Sequence, residues 1–264
     1  MLELPDEPAL VPYFVAGYPS VESVPKAIEA FEAGGADVIE VGLPFSEPIA
    51  DGPTIQNGIT QALENGMTPS RYFEKVEEAD ADVPLVCMTY YNLIMRKGVE
   101  EFVSDCKRVG IEGVIVPDLP VDESDELYEA CEKEGVSLVF IVAPTTTDER
   151  LERIMERVSG FVYVQARLGT TGARDDVSSV TYDVLQRVEG YDVPKAVGFG
   201  VSRREHARDI IKGGADAVVA GSVFVDTMEE GTEGIEEKTR ELKQGALDGV
   251  DETQETPTTD DSAV

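Results

Sequence analysis

Two carboxylates stand where carboxylates are seldom placed. Glu40 lies inside an apolar run, Ala36 to Leu43, flanked by Gly34-Gly35 on one side and Pro44 on the other. That length, with its valines and isoleucine, is that of a strand buried on both faces. A carboxylate buried there needs a compensating reason. Asp51 follows across a loop stiffened by Pro44 and Pro48 and carrying a further acid, Glu47, and a helix begins after it through Gly52-Pro53. An acid on a strand and a second acid across a stiff loop can form a two-carboxylate site. The plainer alternative is a salt-bridged core Glu40 and an Asp51 that caps the next helix.

The elements that must position these groups alternate along the chain. Strand patterns fall at Leu10 to Ala16, Ala36 to Leu43, Leu85 to Tyr90, Gly113 to Asp118, Leu138 to Ala143, Phe161 to Ala166, Lys195 to Phe199 and Ala217 to Gly221. Helical patterns follow each of them, the last from Gly234 to Leu247. Eight strand–helix units with short turns predict a single (β/α)8 TIM barrel over residues 1–248. The acidic stretch 249–264 reads as a disordered tail. A doubly wound open sheet is the runner-up, weakened by the lack of a G-x-G-x-x-G run after the first strand.

In such a barrel the reactive groups lie at the C-terminal ends of the strands. Those ends carry Glu40, Asp51, Tyr90, Asp118, Tyr163, Thr171, Phe199 and Ser222. Gly198-Phe199-Gly200 and Gly221-Ser222 close the last two strands, and glycines there let backbone N–H groups approach an anion such as phosphate. Glycines also end strands with no such purpose. Tyr90 and Tyr163 fit either a flat aromatic pocket or the core, and Asp118 either a site or a turn.

Composition narrows the rest. The chain has 264 residues, 42% of them hydrophobic, and no apolar run reaches the length of a membrane span. The N-terminus is acidic rather than signal-like, so a soluble cytoplasmic protein is expected. Fifty-three acids against 22 bases give a formal net charge of −31. That field disfavours nucleic acid and anionic membranes as partners, and it fits a globular protein adapted to high salt. Cys87, Cys106 and Cys131 are too few and too scattered for a disulfide framework or a zinc site. The single histidine, His206, sits in a surface-like helical segment, which excludes Ser-His-Asp and Cys-His arrangements. No metal site and no cofactor are expected.

The run Glu40-Val-Gly-Leu-Pro-Phe-Ser-Glu-Pro-Ile-Ala-Asp-Gly-Pro-Thr-Ile-Gln56 closely resembles the signature of the tryptophan synthase alpha subunit family. Pro12 to Gly17, Met88 to Asn92, Val116 to Pro120, Gly169 to Gly172, Gly198 to Gly200 and Gly221-Ser222 match in the family's order, so the resemblance spans roughly residues 10 to 245. It implies a barrel that cleaves indole-3-glycerol phosphate to indole and glyceraldehyde 3-phosphate. A beta subunit would be its partner, in an alpha2beta2 heterotetramer. Glu40 then resembles the general acid/base and Asp51 the carboxylate that meets the indole N–H. Tyr13, Met88, Tyr90, Tyr163, Thr171 and Phe199 match substrate-binding positions, and Gly172, Gly200, Gly221 and Ser222 the phosphate site. Three departures stand out: Glu47 for the usual Asp, Thr170 for a common Val, and almost nothing before Leu10 to replace the family's N-terminal capping helix. A subunit acting mainly as an allosteric partner, and another phosphate-binding barrel such as an isomerase, are the competing readings. The Glu40–Asp51 motif speaks against the isomerase.

Overall fold

The computed structural model describes residues 1–49, 51–165, 179–198 and 200–254. Its strands are β1 (Ala9–Val15), β2 (Ile39–Gly42), β3 (Leu85–Met88), β4 (Ile111–Ile115), β5 (Ser137–Val139), β6 (Ile141–Val142), β7 (Val162–Gln165), β8 (Lys195–Gly198) and β9 (Ala217–Ala220). Its helices are α1 (Val24–Ala33), α2 (Pro53–Glu64), α3 (Pro69–Ala79), α4 (Tyr91–Lys97), α5 (Val99–Arg108), α6 (Asp125–Glu134), α7 (Asp148–Arg157), α8 (Ser179–Val188), α9 (Arg204–Lys212), α10 (Ser222–Thr227) and α11 (Thr232–Gln254).

Every pairing is parallel, in the order β5-β4-β3-β2-β1-β9-β8-β7-β6. Only Phe140 separates β5 from β6, and its carbonyl accepts a hydrogen bond from Tyr163 N at 2.9 Å. The two ends of the sheet are therefore one stave, and the sheet closes into the expected barrel rather than a doubly wound layer.

The period of two along a strand divides the apolar residues between two cores. Leu10 and Phe14 of β1 and Ile39 and Val41 of β2 pack outward under the helices. Ala9, Val11, Val86, Ile115, Val139, Ala196, Ala217 and Val219 form a separate cluster that fills the barrel interior. The same alternation carries Tyr13, Glu40, Met88, Tyr163 and Gln165 onto the inner face at the C-terminal ends of their strands.

The floor of the barrel is closed without a capping helix. Leu2 belongs to the interior cluster and is 2% exposed. It fits against Gly113 and Gly160, where a Cβ would come within 3.1 Å and 3.0 Å of the leucine side chain. Its backbone N–H donates to Ser137 Oγ at 3.1 Å. Just outside, Lys243 on α11 ties this segment down by donating to Pro8 O, Glu7 and both oxygens of Asp37.

Three expectations need correction. Two short helices went unforeseen: α4 starts directly after β3, and α10 directly after β9. The chain does not leave its helix at residue 249, because α11 runs on to Gln254. Gly249 packs so closely on α9 that a Cβ there would lie 2.7 Å from Ile211 Cβ. Residues 255–264 of the expected tail lie outside the described residues. His206 is also not on the surface: it is buried on α9, where Ser202 N donates to its Nδ1 at 3.3 Å.

Candidate active site

A cavity of about 580 Å³ opens at the C-terminal ends of the strands, within the range of small-molecule sites. Tyr13, Glu40, Asp51, Met88, Tyr163, Gly200, Gly221 and Ser222 all line it, as expected from the sequence. Thr171, Gly172 and Phe199, together with Thr170, lie outside the described residues.

Register explains the convergence. Tyr13 of β1 pairs with Glu40 of β2, and Gly42 of β2 pairs with Met88 of β3. Tyr13 leans over Gly42, whose missing side chain makes the room: a Cβ there would sit 2.6 Å from the Tyr13 hydroxyl. Tyr163 repeats the device on the far side, with its hydroxyl 2.3 Å from where a Gly198 Cβ would be. Both tyrosines have their pKa pushed up, by burial first and then by the Glu40 and Asp51 charges, so both remain hydroxyl donors.

Glu40 is 1% exposed, and its Oε2 is buried with no hydrogen-bond partner among the described residues. Burial, and after it the charge of Asp51, pushes its pKa up to about 8. No ion pair to Glu40 is present among the described residues, so the salt-bridged core role is not what the fold builds. A carboxyl in this state holds a proton at neutral pH and can give it up.

Asp51 is held differently. The Tyr90 hydroxyl donates to its Oδ2 at 2.6 Å, and Gln56 Nε2 donates to its backbone carbonyl at 2.8 Å. Burial raises its pKa while the Tyr90 hydrogen bond opposes that rise. Gly52, not Asp51, is the residue that caps α2, and no side chain caps it. No Lys, Arg or His lines the cavity among the described residues, so no fixed cation faces Asp51 there.

Tyr90, expected among the substrate-binding residues, is not part of the described cavity lining: its hydroxyl is turned to Asp51 and its ring stacks on Phe45 with centroids 5.2 Å apart. Asp118 takes the structural option, its Oδ1 accepting from Tyr91 N at the start of α4 at 2.9 Å. Thr54, Ile55, Pro117, Ile141, Gln165 and Val219 also line the cavity and were not foreseen. Most are apolar and carry no chemical signal. Gln165 was within reach of sequence reasoning, being two residues beyond Tyr163 on the same strand face.

The chain is similar over most of its length to known proteins. A family model described as "Tryptophan synthase alpha chain" matches residues 2–253. The tryptophan synthase alpha chain of Haloferax volcanii is 57% identical, over 93% of this chain and 94% of that protein. That of Natronomonas pharaonis is 56% identical, over 92% and 94%. Among solved structures, a chain from Pyrococcus furiosus, described under the mutual activation of the tryptophan synthase α2β2 complex, superposes with a TM-score of 0.85 at 41% identity, over 92% of this chain and 100% of that one. A Mycobacterium tuberculosis tryptophan synthase chain gives 0.84 at 37%, over 91% and 93%. Matched along nearly its whole length by the family model and by relatives at this identity, and holding its two carboxylates in the mouth of the barrel, the chain belongs to the tryptophan synthase alpha chain family.

Proposed function

We propose that indole-3-glycerol phosphate occupies this cavity with its indole ring between Glu40 and Asp51 and its phosphate at Gly200, Gly221 and Ser222. As a member of this family the chain is a carbon–carbon lyase that yields indole and glyceraldehyde 3-phosphate. Cleavage needs a proton on ring carbon C3 and removal of one from the glycerol hydroxyl. Glu40 exchanges these protons. Protonation at C3 leaves a cation on the ring nitrogen, which ionised Asp51 stabilises through its charge. The bond between the ring and the glycerol carbon then breaks, its electrons return to the ring, and the hydroxyl carbon becomes the aldehyde.

The observation that carries this reading is the buried Glu40 carboxyl, raised to about 8 and sharing the cavity with a second acid, Asp51. At the other end Gly200 has a φ of 78°, which only glycine adopts without strain. The short helix α10 begins at Ser222, in the place where barrels of this class commonly hold phosphate. Phosphate is held by backbone N–H groups here, so the substrate's charge meets no basic side chain of the described wall. Thr171 and Gly172 complete the proposal as the closing loop, and Phe199 as a ring contact.

The reaction runs in the cytoplasm with a beta subunit docked on the same face, in an alpha2beta2 assembly with allosteric coupling between subunits. The loop after β2 supports that placement, since it exposes Ile49 at 78% beside the cavity. Indole release from indole-3-glycerol phosphate, with and without a beta subunit, tests the whole reading. Glu40→Gln and Asp51→Asn should each remove ~10²-fold or more of the rate. Near wild-type turnover in either variant would overturn that residue's role.

A further inference from the structure

We infer that Tyr90 is a positioning residue that acts on the reaction through Asp51, which it holds ionised with one oxygen turned to the cavity. The inference rests on the role of Asp51 proposed above. Tyr90 stands just beyond the end of β3, is 5% exposed, and meets the loop that carries Asp51 through both its hydroxyl and its ring. Its hydroxyl accepts from the backbone N–H of Ile49 at 2.9 Å and donates to Asp51 Oδ2 at 2.6 Å. Its ring stacks on Phe45.

Order matters in this chain of contacts. A phenol hydroxyl has one proton to give. With Ile49 N–H already pointing at the oxygen, that proton is directed at the carboxylate, and accepting one bond strengthens the one it donates. Oδ2 is thereby engaged, and among the described residues Oδ1 is the oxygen left for a ligand's N–H. Of the two acids in the cavity, Glu40 has an oxygen with no partner and a pKa of about 8, whereas Asp51 has the one bond that works against burial. Tyr90 thus separates the two carboxyls into a proton carrier and a fixed charge. Asp51 is faced by Glu40 from β2, Tyr13 from β1, Tyr163 from β7 and Tyr90 from the end of β3, with no cation among the described residues to substitute for the lost bond.

The test uses the full chain with its beta subunit in molar KCl and compares Tyr90→Phe, Asp51→Asn and the double variant. Phe keeps the ring and its stack on Phe45. Turnover should fall roughly tenfold or more in Tyr90→Phe with KM little changed, as expected for loss of a hydrogen bond to a charged group. The acid limb of the kcat/KM profile should move to higher pH. This chain contains no Trp, so indole binding to the full chain without its partner can be followed by indole's own fluorescence. Its affinity should show the same displaced limb in Tyr90→Phe and none in Asp51→Asn. Adding Tyr90→Phe to Asp51→Asn should change neither turnover nor indole affinity further. A loss equal at every pH, or losses that multiply in the double variant, would overturn the inference while leaving Asp51 in place. Asp51→Asn with wild-type turnover and indole affinity would instead overturn the role of Asp51, and the positioning role with it.

Discussion

Replacing Glu40 by Gln should stabilise the protein, by an amount that grows with pH. Folding moves the Glu40 carboxyl from its ordinary value of 4.5 up to about 8, because the group is taken out of water and placed near the Asp51 charge. Between those values the folded chain keeps a proton that the unfolded chain has released. The stability Glu40 contributes is therefore fully present below pH 4.5 and is lost as pH rises through 8. Each pH unit in that window removes about 1.4 kcal/mol, which amounts to roughly 3 kcal/mol by pH 7 and about 5 kcal/mol at and above pH 8. Gln has the same shape and does not titrate, so any mismatch of its amide adds a constant to the comparison and no slope. Urea unfolding of both proteins from pH 4 to pH 9 in molar KCl gives the stability difference directly. It should be flat at the acid end, climb by about 1.4 kcal/mol per unit, and level off near pH 8. A difference that does not vary with pH would refute the claim that Glu40 is held protonated by its surroundings. The same variant is the one expected to lose most of the turnover, so on the proposed mechanism the site trades stability for a proton near neutral pH.

The net charge of −31 makes folding depend on salt, and the thermal midpoint should rise between low and molar KCl; a flat or falling midpoint would remove the argument. Gly198→Ala should sharply reduce turnover, because its Cβ would lie 2.3 Å from the Tyr163 hydroxyl and 2.8 Å from Val219 Cβ, and normal kinetics would show that the wall yields freely. Leu2→Ala should cost about 2–5 kcal/mol in urea unfolding, as for other large-to-small changes in a core, although the residue is second in the chain. A loss under about 0.5 kcal/mol, the range of ordinary surface changes, would show that the floor does not need it.

Glu40 and Asp51 were legible because a charge inside an apolar run, and a second across a proline-rich loop, are locally improbable. The barrel was legible because eight strand patterns each met a helical one. What depends on distant backbone was not. Tyr90 read as either a pocket ring or a core residue, since its bonds to Ile49 and Asp51 join segments some forty residues apart in sequence. His206 read as a surface residue because a helical pattern alone does not reveal which face meets the sheet. The acidic end of α11 read as disordered on composition, yet Gly249 and Val250 pack against α9 and the core, and packing overrides composition. Thr171, Gly172 and Phe199 rest on the resemblance and on the experiments above.

The way Leu2 closes the barrel also sets an order of assembly. Its seat is built from Gly113, Ser137 and Gly160, and its bond to Ser137 spans 135 positions of chain. During synthesis Leu2 must wait until Gly113, Ser137 and Gly160 have emerged before it can be buried. Contacts of that separation slow folding, since the loop must be closed before the contact stabilises anything. Met1, immediately before it, is 71% exposed. An affinity tag fused there would leave the molecule beside the floor of the barrel and would have to be drawn in behind Leu2 at a late step. Handles for purification and labelling are therefore better kept away from Leu2 and its seat.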